Sequence, residues 1–344
     1  MPYDVTIGIP VYNVEKYIRQ TLDSALAQTF PSIEFIICDD CGTDSSIDIV
    51  MEYQHLHPRG KDIRIVRQQE NMGVGCARNH IIEEAKSEYI FFLDADDFIV
   101  ENAIESLYSY AKQFDSDIVY GSMEKVLVYE NNKRFRSVDY PFSVFLEEND
   151  FAKFVYRKYD GIQASSCNCL VKLDVYRKNN LRYYPINYWE DMTMSIIMPI
   201  YITRAVLLPD ITYSYICRTG TLSNYQKRTH IDKEEIQKTI WAVNDIKQKS
   251  VLVREKVFFP LWINKVMKTC FYIVCTIIRN KDVISPSFNR RELHNVMQSP
   301  LNLCEVLGFR DSFFSNFFLY LLDVMPDTLC IMTIKILGKL RHLI

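Results

Sequence analysis

The sequence lacks the marks of export and of membrane insertion. No positively charged stretch followed by an apolar core opens it, and Met1-Pro2-Tyr3-Asp4 runs straight into a β-prone segment. No run of about 18 uncharged apolar residues occurs, which argues against a spanning helix. The expected setting is the cytoplasm, where the ten cysteines are thiols. Cys38-x-x-Cys41 and Cys167-x-Cys169 are closely spaced, but histidines at zinc-finger spacing are missing, so all ten read as buried small apolar residues. Charge of one sign is also missing. Forty basic residues face 43 acidic ones, which gives no general pull toward nucleic acid. No internal repeat and no Gly/Ser linker divides the 344 residues, so packed subdomains are expected.

Two glycine motifs are absent as well. There is no Gly-x-x-x-x-Gly-Lys-Ser/Thr, which excludes a P-loop. Gly73-x-Gly75 is followed by Arg78 where a dinucleotide fingerprint needs a third glycine, which excludes NAD.

What is present is organised around Phe91-Phe92-Leu93-Asp94-Ala95-Asp96-Asp97-Phe98. Tyr89 to Leu93 reads as a buried strand. Three carboxylates then follow within four positions, at the carboxyl edge of a sheet, where open α/β folds bind ligands. Such oxygens suit Mg²⁺ or Mn²⁺, which take further ligands from water and phosphates. An acidic turn closing a strand is the plain alternative.

Before this point, β-prone runs at Val5–Ile9, Ile33–Cys38 and Ile63–Arg67 alternate with helical patterns. Asn13 is a candidate cap for the first helix and Thr43 or Asp44 for the second. A helix over about 101–113 and a strand at 118–120 follow. This alternation predicts a parallel sheet flanked by helices. Beyond Gly121 the order breaks into strands and loops, a helix over about 149–159 and a β-prone run at 206–217. From His230 the pattern is helical, interrupted at Pro260, Pro286, Pro300 and Pro326.

Three further clusters could carry chemistry. Asp39-Asp40 closes the second strand at the same edge as Asp94. A carboxylate there can accept a uracil imide N–H or a ribose hydroxyl, or merely suit a helix dipole. Arg78 follows a Gly-rich turn near a helix N-terminus, a place that favours phosphate, or it forms a surface ion pair. Trp189-Glu190-Asp191 follows a bulky apolar segment that can raise a carboxylate's pKa and make it a usable base; the same acids also suit a helix start.

Together, Pro10-Val11-Tyr12-Asn13, Asp39-Asp40-Cys41-Gly42-Thr43-Asp44-Ser45, Asn71-x-Gly73-x-x-x-Ala77-Arg78-Asn79, Asp94-Ala95-Asp96-Asp97 and Glu190-Asp191 resemble the inverting family-2 glycosyltransferases of the GT-A fold. The resemblance runs from about 5 to 223. It implies an α/β fold with a mostly parallel sheet, flanking helices and a helical C-terminal extension. It implies a catalytic domain over 1–228, with a nucleotide half at 1–120 and an acceptor half at 121–228, and a helical region at 229–344.

The resemblance also implies roles. Pro10, Val11 and Tyr12 would lie along the nucleotide base and Asp40 would bind uracil. Asn71 and Arg78 would help hold the nucleotide. Asp94 and Asp96 would contact ribose and the metal, Mg²⁺ or Mn²⁺, with Asp97 close by. Asp191 would be the base. Arg218 to Ser223 resembles the loop that closes over the diphosphate. Cys41 displaces the usual glycine by one and departs from the family's pattern. The implied activity moves a sugar from a UDP-sugar to a saccharide or lipid-linked saccharide acceptor, in bacterial surface polysaccharide synthesis. A sugar-1-phosphate nucleotidyltransferase would need a Gly-rich basic loop after the first strand, which Pro10-Val11-Tyr12-Asn13 does not supply. A non-catalytic sugar-nucleotide-binding protein would have no need of intact aspartates.

The C-terminal segment from Leu329 is rich in leucine and isoleucine, with Lys335, Lys339 and His342 on one helical face and Arg341 near it. Two readings stay open. It is a basic amphipathic helix on a membrane surface, or a helix packed on the domain.

Overall fold

The computed structural model describes residues 3–130, 132–157, 162–218 and 229–344. The chain forms two compact units, Met1–Phe151 with Gln163–Thr221, and Ala152–Ile162 with Leu222–Ile344.

The first unit opens with strands β1 (Val5–Val11), β2 (Ile33–Asp39), β3 (Ile63–Arg67) and β4 (Tyr89–Phe92). Helices α1 (Ile18–Leu26), α2 (Ser46–Leu56) and α3 (Val74–Glu84) alternate with them. The four strands pair in parallel in the order β3-β2-β1-β4. Every residue of β2 and β4 is buried, as both faces of a covered parallel sheet require. α1 turns Ile18, Leu22, Ala25 and Leu26 inward. A side chain at Gly8 would put its Cβ 2.6 Å from Ile81 of α3, so glycine lets that helix lie close on β1.

Asn13 does not cap α1, which begins five residues later at Ile18. Its φ is +51°, and its Oδ1 accepts the Thr43 N–H at 2.7 Å. It ties the turn after β1 to the turn after β2, a long-range bond that local spacing does not reveal.

The chain continues through β5 (Phe98–Ile99), α4 (Ala103–Gln113), β6 (Ile118–Leu127), β7 (Lys133–Val138), β8 (Ser143–Phe145), α5 (Asp150–Arg157), β9 (Cys169–Lys172), α6 (Leu173–Lys178), α7 (Glu190–Ile197) and β10 (Ala205–Cys217). The sheet extends from β4 as β9-β6-β10-β5, with β7 on β6 and β8 on β10. β9 runs antiparallel to both β4 and β6, while β10 runs parallel to β6. The result is a mixed α/β fold whose first half is the expected parallel sheet. The insertion of β9 brings Cys167 beside Phe92 at the end of β4. Segments distant in sequence therefore meet at one sheet edge.

The second unit contains β11 (Ile231–Asp232), α8 (Lys233–Gln248), α9 (Ser250–Val253), α10 (Phe259–Arg279), β12 (Ile284–Ser285), α11 (Arg290–Val296), α12 (Leu303–Gly308), α13 (Phe313–Val324) and α14 (Asp327–Leu340). Pro260 sits in the first turn of α10 and Pro326 just before α14, so both begin helices. α10 is long and apolar enough to cross a membrane by length and composition, with mean hydropathy 1.4 over its best window. Lys265 and Lys268 interrupt it, so it is not an uncharged run in the sequence. In the structure 83% of that window is buried, the position of a core helix. All ten cysteines are free; Cys304 is exposed, against the expectation of burial, and Cys41, Cys76 and Cys217 are partly so.

Candidate active site

The site lies in the first unit, at the carboxyl ends of β1, β2 and β4. Asp94 leaves β4 directly, and the chain turns so that the Asp97 N–H donates to the Asp94 carbonyl at 3.1 Å. Asp94 and Asp96 keep 33% and 30% of their side chains exposed. Burial and the neighbouring Asp94 push the Asp96 carboxyl up to about 6, against the pull of Arg218. Arg218 donates from Nη1 to the Asp96 carbonyl at 2.8 Å and to Oδ2 at 3.2 Å, and its guanidinium lies 4.0 Å from the centre of the Tyr17 ring. Ser223, expected in the same loop, lies outside the described residues.

Asp97 differs from expectation. It is buried, accepting Tyr213 Oη–H at 2.7 Å and the Ile216 N–H at 2.7 Å. The Tyr213 hydroxyl also accepts the Asp94 N–H at 3.3 Å. Both carboxylate oxygens are engaged inside the fold, so Asp97 braces the acidic turn against β10. Burial and the charges of Asp94 and Asp96 raise its pKa.

Arg78 also differs. It is 2% exposed rather than on the surface, and its guanidinium does not project toward solvent. Its Nη2 donates to Asp94 at 2.9 Å. Its Nη1 donates to Asp191 at 2.7 Å and to Glu190 at 3.2 Å. Its Nε has no partner among the described residues. The side chain lies against the faces of Phe92 and Tyr183, at 5.9 and 5.5 Å from the ring centres. Burial opposes its charge, but Asp191 and Asp94 outweigh it and hold the guanidinium protonated.

Glu190 and Asp191 start α7, as the sequence suggested. Trp189 precedes them with φ +65°, a left-handed turn that aims the helix start at Arg78. Burial and the adjacent Asp191 push the Glu190 carboxyl up to about 7, with Arg78 pulling down. Asp191 is raised too, by burial, against Arg78 and Ser166. Ser166 donates its hydroxyl to Asp191 Oδ1 at 2.6 Å. A cleft lined by Tyr120, Gln163, Ser165, Ser166, Met194 and Ser195 opens beside Asp191. Ser166 was not singled out in the sequence; it sits in the short approach to β9, with no pattern of its own.

Asp40 is buried at the end of β2. Its oxygens accept the Met72 N–H and the Gly73 N–H, each at 2.9 Å. Burial raises its pKa and these two bonds lower it. Gly73 has φ +86°, which glycine adopts without strain. Exposed Asn71 supports the same turn by accepting the Gly73 N–H at 3.2 Å. Tyr12 is open to solvent, but Val11 is 1% exposed, so only its backbone faces the edge. Pro10 is half-buried beside it.

Among the described residues no three Asp, Glu, His or Cys side chains converge as a complete metal cage. Asp94 and Asp96 are two partly open hard-oxygen donors on one turn. That set fits an ion that draws its remaining ligands from water and a substrate's phosphates.

Solved structures share this architecture. Staphylococcus aureus TarS 1–349, in complex with UDP-GlcNAc, aligns with TM-score 0.58 at 19% identity, over 80% of this chain and 85% of that one. A mannosyltransferase from Pyrobaculum calidifontis, in complex with GDP-Man and Mn²⁺, aligns with TM-score 0.52 at 14% identity, over 98% and 81%. The fold is the GT-A fold, an α/β sheet flanked by helices with a helical C-terminal region. The family model "Glycosyl transferase family 2" matches residues 6–178, half of the sequence, and the chain belongs to that family. Over 119 residues it is 37% identical to the glycosyltransferase GlyA of Streptococcus pneumoniae, covering 34% of this chain and 16% of that protein. Over 124 residues it is 31% identical to the poly(ribitol-phosphate) beta-N-acetylglucosaminyltransferase TarS of S. aureus, covering 35% and 21%. The matched stretches thus span a minor part of these relatives' length.

Proposed function

We propose that the protein transfers a sugar from a UDP-sugar to an acceptor hydroxyl with inversion at the anomeric carbon. The observation that carries this reading is the Arg78 bridge. One guanidinium joins Asp94, on the acidic turn, to Asp191, beside the cleft. A donor held at the acidic turn and a base at the cleft then lie a guanidinium's width apart, as direct displacement requires.

Asp191 accepts the proton of the acceptor hydroxyl as that oxygen attacks the anomeric carbon. The new C–O bond forms as the bond to the β-phosphate oxygen breaks, and the electron pair leaves with UDP. Asp94 and Asp96 would hold Mg²⁺ or Mn²⁺, which supplies Lewis-acid stabilisation to the departing diphosphate. Arg218 sits on Asp96 and adds positive charge there. Asp40, Asn71 and the turn at Pro10, Val11 and Tyr12 would form the base site. Asp40 acts there partly through the Met72–Gly73 backbone it holds. Arg78 acts by positioning the two acidic groups, not by touching the nucleotide.

The TarS complex with UDP-GlcNAc supports a uridine donor, and relatives named for poly(ribitol-phosphate) glycosylation and teichuronic acid biosynthesis support bacterial surface polysaccharide as the setting. A thermal-shift series tests the donor site. UDP with Mn²⁺ should raise the melting temperature more than GDP with Mn²⁺ or UDP with chelator, since specific binding stabilises by mass action. A response to GDP alone removes the uridine assignment. No response to either nucleotide removes the donor site.

A further inference from the structure

Helix α14 is apolar on two opposite faces. Cys330, Ile331, Ile334 and Gly338 are buried on one side. Leu329, Met332, Ile336 and Leu340 are 49%, 55%, 58% and 71% exposed on the other. At about 100° per residue these four fall within one arc of about 80°, on the side away from the buried set. A single exposed leucine needs no explanation, but a continuous stripe along three turns of a helix does. Twelve of the twenty exposed large apolar side chains among the described residues belong to the second unit, so the stripe lies on its more apolar surface.

Charge identifies what covers it. Lys335 and Lys339 are exposed and follow one edge of the stripe, and Arg341 is exposed just past the helix. None of the three has an ion-pair partner among the described residues. Within the helix Asp327 is the only acid, and it is bonded to His294. A protein partner of ordinary surface charge would match the stripe but leave the cations unanswered. An anionic lipid surface answers both. The stripe enters the acyl boundary while the lysines remain at the headgroups, with their stems along the apolar edge.

We propose that the exposed face of α14 docks the protein on an anionic lipid bilayer. The purpose of this docking, access to a lipid-linked saccharide acceptor, rests on the proposed glycosyl transfer; the docking itself does not. It also makes the two readings of the C-terminal segment compatible, because one face packs and the other is free.

The test is co-sedimentation of the full chain with vesicles of equal parts phosphatidylglycerol and phosphatidylcholine, against vesicles of phosphatidylcholine alone. UDP release from UDP-N-acetylglucosamine and UDP-glucose, and the melting temperature, are measured in parallel. Wild type should sediment with the anionic vesicles. Ile336→Glu/Leu340→Glu should abolish this. Lys335→Glu/Lys339→Glu, which leaves the apolar stripe intact, should weaken it by about tenfold or more. Both variants should melt like wild type. Absence of vesicle binding overturns the proposal, as does binding that both variants preserve. A dimer in light scattering that the Ile336→Glu/Leu340→Glu variant dissociates, without vesicle binding, overturns it in favour of a second copy. Loss of UDP release in wild type with vesicle binding intact would remove the donor reading and leave the docking face standing.

Discussion

Arg78 and Asp191 are 113 positions apart in the chain and 2.7 Å apart in the fold. Arg78 is buried and the Asp191 side chain is 24% exposed, and the charge of each offsets the cost of withdrawing the other from water. A buried guanidinium needs counter-ions, and three clustered carboxylates need a cation. The arrangement fixes where Asp191 points, and a base is effective only when it is fixed.

Replacing Asp191 by Asn keeps its shape and removes its basicity. Transfer should fall about 10²–10⁴-fold, the usual weight of general-base catalysis. UDP binding, read by thermal shift, should barely move. Glu190→Gln should cost less. A larger loss in Glu190→Gln with donor binding preserved would reverse the assignment.

Arg78→Met should both unfold the protein more easily and inactivate it. Leaving one side of a buried ion pair without its partner costs about 3–5 kcal/mol. Arg78→Lys restores the charge but not the fork that reaches two groups at once, and should fall between. Chemical denaturation of the three proteins measures this. A Met variant as stable as wild type would remove the anchoring role.

The pH profile should report the Glu190–Asp191 pair. Burial raises both carboxyls, Glu190 to about 7, so the acidic limb of kcat/KM should lie above the ordinary carboxylate range. The base works only when ionised, and activity is therefore lost as pH falls through that limb. Ser166→Ala removes a bond that favours the ionised form of Asp191. The limb should move upward, with kcat at high pH largely retained. A Ser166→Ala profile that superimposes on wild type would make Ser166 a packing residue only.

Chelation should abolish transfer, and Asp96→Ala should abolish metal-dependent UDP binding without loss of secondary structure. Mn²⁺ titration of the wild type and the variant by calorimetry checks this. Transfer that survives both treatments would exclude a metal on the acidic turn.

The second unit carries its own pH dependence. His294 donates through Nδ1 to Asp327 at 2.6 Å and through Nε2 to the Leu322 and Asp323 carbonyls at 3.0 and 2.9 Å. Burial lowers its pKa, but these bonds outweigh burial and leave it raised. The folded state thus holds the proton more tightly than the unfolded chain. Its contribution is complete below the unfolded pKa and fades as pH rises through the folded one. Melting curves from pH 5 to 9 should show this loss, and Asp327→Asn should flatten it. An unchanged slope in Asp327→Asn would exclude the pair as its source.

The parallel half of the sheet was legible because its signals are local. β1 to β4 are apolar runs bounded by turns, and α1 and α4 show helical spacing. The acidic turn was legible because it follows one of those runs. β9 was not. Four residues, Cys169–Lys172, have too little sequence to declare a strand, and they become one only between β4 and β6. The burial of Arg78 and Asp97 was hidden for the same reason, since it depends on α7 and β10 arriving from elsewhere. Motif spacing found these residues; only tertiary contacts show how deeply each is set in the fold and what holds it.

The long reach of the Arg78 bridge also sets an order of events during synthesis. Asp94 follows Arg78 by 16 residues, whereas Glu190 and Asp191 follow by 112 and 113. At about 5–20 residues per second, the ribosome delivers the last two carboxylates roughly 5–20 s after the first. For that interval the nascent sheet holds a guanidinium with one of its counter-ions, and for most of it the β4 edge also waits for β9. An unpaired edge of this kind is open to mispairing, and the closing of the electrostatic knot still leaves β10 to arrive, on β6 and against Asp97, before the first unit is whole.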